Sequence, residues 1–178
     1  MQIFTTIFLF VAFGSIYCDL TAAGQAPNLK RFVAKYDFED FPAHETFQGK
    51  PAPVNYKSHR LAREFKSVIT RAAQQGANFA GHYTFVSWGC GSPCMRSAIV
   101  DSKTGRVYQG PDATLGFEVQ LNSRLVKVNP PDRDGYYEDT WYSIPELYVW
   151  SEKEKRFALL QSDWKDKKQA IKGDKSNH

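Results

Sequence analysis

A chain of 178 residues with 42% hydrophobic and 15% aromatic side chains is long enough for one packed domain and short for two. That composition excludes a disordered chain, and a core of this size needs neither a metal nor a dense disulfide frame. The formal net charge of +4 is mildly basic, too weak on its own to mark a nucleic-acid-binding protein.

The first element is an apolar run, Ile3 to Phe13, followed by Gly14-Ser15 and the small residues Thr21-Ala22-Ala23-Gly24. It has the length and flanks of a secretory leader and is short for a membrane span. The expected cut follows Ala23, giving a signal peptide over 1–23 and a mature domain over 24–178. The n-region lacks Lys and Arg, so an uncleaved anchor or a buried first strand remains the competing reading. Cys18 stands where a lipoprotein would carry its acylated cysteine, but Tyr17 before it fits that signal poorly. A soluble periplasmic or secreted product is therefore expected, with no stable membrane insertion after cleavage.

Residues 24–57 read as an irregular lead-in, with Pro27, Pro42, Pro51 and Pro53 spread through it. Over 58–75, Leu61, Phe65, Val68, Ile69, Ala72 and Ala73 recur at three- and four-residue spacing, which predicts one long helix. Ser58 is its expected N-cap and Gly76 its left-handed terminator. Arg60, Arg63, Lys66 and Arg71 then form a basic outer face, which most simply is solvated.

From 80 to 162 the pattern is that of β-hairpins. Strands are expected at 81–88 and 95–101, at 106–108 after the turn at Gly105, at 116–121 and 125–129, and at 146–150 and 156–161. The implied class is α+β: an antiparallel sheet of six or seven strands with one long helix packed on it. Residues 130–143 read as a long loop, polar and then aromatic, and the Lys-rich segment 165–178 as a frayed tail. The acidic start of that loop, Asp132-Arg133-Asp134-Gly135, only faintly suggests calcium, because the later ligands are missing. Its Tyr136, Tyr137, Trp141 and Tyr142 suit a partner or a sugar, and buried packing explains them equally well.

Once the leader is removed, Cys90 and Cys94 are the only cysteines. An even pair in an oxidising compartment reads as a disulfide. Four extended residues span about 13 Å, so a bond requires the chain to reverse at Gly91-Ser92-Pro93, which are turn residues. Three sharper readings compete. They are a copper or redox site, a structural zinc site, and a thiol nucleophile with His82 as base. The βαβ context, the histidine spacing and a free thiol that these respectively need are not evident. His82 shares one expected strand face with Thr84, Val86 and Trp88, while Tyr83, Phe85 and Ser87 take the other, and either face can be the core.

The combination Asn78-Phe79-Ala80-Gly81-His82-Tyr83, Trp88-Gly89-Cys90-Gly91 with Cys94, Ala98-Ile99-Val100-Asp101 with Thr104-Gly105, and Ser123-Arg124-Leu125 with Asn129 resembles a family of small exported bacterial proteins of unassigned function. The resemblance runs from about Phe47 to Asn129. It implies an exported location and no activity, so no catalytic residue and no cofactor follow from it. It does direct attention to His82, Trp88, Arg124, Asn78 and Asp101 as candidate ligand-binding residues. Asn78 and Gly81 can equally shape a corner, Asp101 can cap its turn, and Arg124 can pair with Asp101 or bind an anion.

The functional expectation is an exported binding or interaction protein without catalysis, such as an inhibitor or immunity-type protein. Its partner would be a protein or small molecule and not a nucleic acid. The alternative is an envelope hydrolase or a metal- or thiol-handling protein using His82 with Cys90 and Cys94.

Overall fold

The computed structural model describes residues 27–163. The expected leader and the Lys-rich tail lie outside the described residues. Nine strands and two short helices follow in chain order. They are β1 (Leu29–Arg31), α1 (Arg60–Glu64), α2 (Lys66–Gln74), β2 (Tyr83–Gly91), β3 (Cys94–Asp101), β4 (Val107–Gln109), β5 (Phe117–Val119), β6 (Leu125–Val128), β7 (Tyr136–Glu138), β8 (Glu146–Ser151) and β9 (Arg156–Ser162). No helix among the described residues is long and apolar enough to cross a membrane.

The fold is mostly β, which corrects the expectation of one sheet beside a long helix. Three separate antiparallel sheets form, ordered β1-β7, β2-β3-β4 and β5-β6-β8-β9. The apolar stripe did mark the helical segment, but the helix breaks at Phe65 (φ −113°, ψ 37°). At that break the Phe65 ring packs on Trp88, with centroids 4.6 Å apart. The N-cap is His59, whose Nδ1 accepts from the Leu61 amide, and not Ser58. The Ser58 hydroxyl instead donates to the Asn55 carbonyl and accepts from the Val107 amide, tying the helix entry to β4.

Three hydrophobic clusters stack these elements into layers. Leu61, Ile69 and Ala73 of the helices meet Val86, Ala98, Val100 and Val107 on one face of β2-β3-β4. The opposite face presents Tyr83, Phe85 and Ile99 to Val126, Val128 and Trp150 of the four-stranded sheet. The far side of that second sheet, with Leu125 and Leu147, is covered by Phe32, Phe38 and Tyr137. Both faces of β2 are therefore core, because the strand separates two packed layers. Alternation in β2 and β6 sends neighbouring residues to different clusters.

The lead-in is a structural layer of its own. β1 pairs with β7, which lies inside the segment expected to be a loop. Further along, the Ala52 and Asn55 amides donate to the carbonyls of Ser102 and Gly105, and the Phe47 amide to that of Gly81. This strap passes so close that a Cβ at Gly81 (φ +80°) would run into the Glu45 carbonyl, and one at Gly105 (φ +70°) into that of Pro53. Gly81 and Gly105 are thus explained by backbone approach and by a conformation that side chains disfavour. The acidic start of the 130–143 segment closes on itself: Asp132 Oδ1 accepts from the amides of Asp134 and Tyr136.

Candidate functional site

Cys90 and Cys94 are disulfide-bonded, with Cα atoms 5.1 Å apart. They close the β2–β3 hairpin at its tip, where Gly89 to Pro93 are exposed. A register shift between Gly89 and Gly91 lets the strands meet the bridge. On the other side, Met95 and Ala113 exchange both backbone hydrogen bonds, at 2.7 and 2.8 Å.

His82 lies in the turn just before β2, not on the strand as its alternation suggested. It is eight positions from Cys90 along an extended strand, which puts it roughly 26 Å from the bridge. Its own surroundings are polar. Nε2 stands 4.0 Å from Asp101 Oδ1 and 3.9 Å from Glu152 Oε1. The ring lies against Tyr83, centroids 4.3 Å apart, and Nδ1 is buried without a hydrogen-bond partner. His44, Glu45, Ala80 and Glu152 complete a cleft of about 160 Å³ around it.

A dense network organises the cleft wall. Glu152 accepts from the Tyr83 hydroxyl (2.9 Å), Trp150 Nε1 (3.0 Å) and Lys155 Nζ (2.7 Å). Burial works to raise the Glu152 carboxyl, but the donors Lys155, Tyr83 and Trp150 outweigh it and hold it below its ordinary value. Lys155 also donates to the Tyr83 oxygen at 3.0 Å. Burial pushes the Tyr83 phenol well above its usual range, so it stays a neutral donor. Lys103 pairs with Glu45 at the rim.

The remaining motif residues hold backbone. Asn78 Nδ2 donates to the Phe85 carbonyl (3.2 Å) and its Oδ1 accepts from the Phe85 amide (2.7 Å). Asp101 caps its turn, taking the Lys103 amide (2.9 Å) and the Thr104 hydroxyl (2.7 Å). Arg124 does not pair with Asp101; its Nε donates to the Pro42 carbonyl and its Nη1 to that of Trp150, both at 3.2 Å. Trp88 faces the helices, far from the His82 cleft, with its indole nitrogen buried and unpartnered. The structure thus joins His82 with Asp101, places Arg124 on carbonyls next to the cleft wall, and leaves Asn78 and Trp88 elsewhere. No protein-family model, curated protein or solved structure matches this chain.

Glu45 and Glu152 escaped the reading of the sequence, Tyr83 entered it only as a strand and motif residue, and His44 was not joined to His82. Nothing local marks them, since Glu152 arrives from a hairpin turn some seventy positions beyond His82. The only textual hint is the charged run at 151–155, which reads as an ordinary solvated turn.

Chemically, the cleft lacks an assembled nucleophile. The Ser102 hydroxyl is buried without a partner and makes no hydrogen bond to His82, although the Ser102 amide donates to the His82 carbonyl. No three His, Cys, Asp or Glu side chains among the described residues are arranged to hold a metal ion. Desolvation lowers the His82 pKa and outweighs the raising effect of Glu152 and Asp101. A folded pKa below the unfolded value means the unfolded chain binds more protons, so stability falls as pH drops below about 6.5. In urea titrations between about pH 7 and pH 5, His82→Asn should flatten that decline, whose slope cannot exceed the one-proton limit of about 1.4 kcal/mol per pH unit. Equal slopes for both proteins would show that another group carries the pH dependence.

Proposed function

We propose that the protein is an exported, non-catalytic interaction domain of the inhibitor or immunity type, acting in the periplasm or outside the cell. The observation that carries this reading is the stapled, exposed tip of the β2–β3 hairpin, with its strands anchored in two cores behind it. A loop held in one shape loses little conformational freedom when a partner docks, which favours tight and specific binding. The engagement of Asn78, Asp101 and Arg124 with backbone supports the same view, since the motif residues build the scaffold that presents the tip.

The alternative, a hydrolase or thiol-handling protein using His82 with the cysteines, requires those groups to share a site. They sit at opposite ends of β2.

Two measurements test the proposal. Thiol titration of protein recovered from the cell envelope, denatured without reductant, should find Cys90 and Cys94 unreactive; two free thiols would overturn the reading. A photo-crosslinker at Ser92, compared with one at Glu154, should then capture one specific partner from the envelope. Binding of that purified partner should weaken at least about tenfold in Cys90→Ser/Cys94→Ser. The double variant itself should lose about 2 kcal/mol of stability, the value for a closed loop this short. Unchanged affinity in a folded double variant would remove the tip from the interface.

A further inference from the structure

A second concavity, of about 500 Å³, opens at the end of the four-stranded sheet. That volume lies within the range of small-molecule sites. Its walls include Trp141, Tyr142 and Tyr148, together with the carboxylates of Asp112 and Glu146. Among the described residues no Lys, Arg or His lines it, in a protein whose net charge is positive. Three aromatic rings and two carboxylates without a counter-charge form an environment complementary to a cation that is also apolar.

The groups are held in place before any ligand arrives. Glu146 Oε2 accepts from the Tyr148 hydroxyl at 3.0 Å and Oε1 from the Ser162 hydroxyl at 2.8 Å. Neither Glu146 nor Asp112 is in an ion pair among the described residues. Burial, with Glu146 and then Asp112 adding to it, drives the Tyr148 phenol well above its ordinary pKa, so it stays a neutral donor to Glu146.

The aromatic segment is fixed from behind by Asn129, whose backbone takes the left-handed conformation (φ 48°). Its Oδ1 accepts from the amides of Thr114 and Leu115, both at 2.9 Å, and its Nδ2 donates to the Ile144 carbonyl at 3.2 Å. The Thr114 hydroxyl donates to the Tyr142 carbonyl. Trp141 is nevertheless 69% exposed, its ring edge-on to Tyr142 at 5.5 Å. The indole is thus open to solvent in the same cleft as two carboxylates that are in no ion pair among the described residues.

We propose that this cleft binds a small organic ammonium ion, with the cation over the Trp141 face and its charge answered by Glu146 and Asp112. The cleft starts where Ala113 pairs with Met95, beside the base of the hairpin tip, but its test does not involve the disulfide.

Choline and its neutral isostere 3,3-dimethylbutan-1-ol serve as probes, titrated into the full-length mature protein and followed by calorimetry and indole fluorescence. Choline should bind with a Kd of about 1 mM or tighter, and the isostere at least about tenfold more weakly. Trp141→Ala and Glu146→Gln should each weaken choline binding by about tenfold. Trp141 is exposed, so its variant should retain the wild-type melting curve, which separates lost binding from lost folding. Equal binding of choline and isostere would overturn the proposal, as would no choline binding up to roughly 10 mM. A chito-oligosaccharide or a Lys-rich peptide binding at Trp141 while choline does not would overturn it in favour of a sugar or a protein partner.

Discussion

Trp150→Ala should destabilise the protein by about 3–5 kcal/mol, a large fraction of the 5–15 kcal/mol typical of a domain. Trp150 is fully buried, and its ring meets Tyr83, Tyr108 and Phe157 at centroid distances of 5.2, 5.3 and 5.1 Å. It therefore fills the space between the two larger sheets, which truncation would leave as a cavity. The substitution also removes the Nε1 donor to Glu152, loosening the carboxylate that faces His82. Trp150→Phe separates these effects: it keeps most of the packing and should cost only about 1–2 kcal/mol. Urea unfolding followed by circular dichroism gives both values. A loss below about 1 kcal/mol for the alanine variant would mean that the sheets do not depend on this contact for their cohesion.

Gly81→Ala should be nearly as damaging, at about 2–4 kcal/mol, although it adds a single methyl group. The added Cβ meets a positive φ and the Glu45 carbonyl together. The backbone cannot move aside. Its amide donates to the Leu121 carbonyl at 2.6 Å, and its carbonyl accepts from the Phe47 amide at 2.9 Å. Gly89→Ala is the control: its φ is ordinary and open space surrounds it, so its change should stay within about 0.5 kcal/mol. If the two variants proved equally stable, the strap of residues 42–57 would not lie where the structure has it.

The contrast between local and distant pairing explains what could be read from the residues. The β2–β3, β5–β6 and β8–β9 hairpins announced themselves, because each joins adjacent runs of strand formers through a turn. The bend at Gly91-Ser92-Pro93 followed from the expected Cys90–Cys94 bond and the reach of four residues. β1 and β7 gave no such sign: each is three residues long, and both helices and the strands β2 to β6 separate them along the chain. A stripe over 58–75 reports which face is apolar, and Leu61, Ile69 and Ala73 obey it, but it is blind to the non-helical dihedrals at Phe65. His82 was singled out through its motif, whereas its neighbour Glu152 belongs to a turn that any sequence rule assigns to solvent. The division into three sheets was hidden for the same reason, since strand count does not reveal which edges meet.

The pairing of β1 with β7 also sets an order of events as the chain emerges. Leu29 cannot find Glu138 until β2 to β6 have been released, by which time the β2–β3 and β5–β6 hairpins can already have closed. β1 therefore joins its sheet later than the β2–β3 and β5–β6 hairpins, although it precedes both in the chain, and only β8 and β9 emerge after its partner.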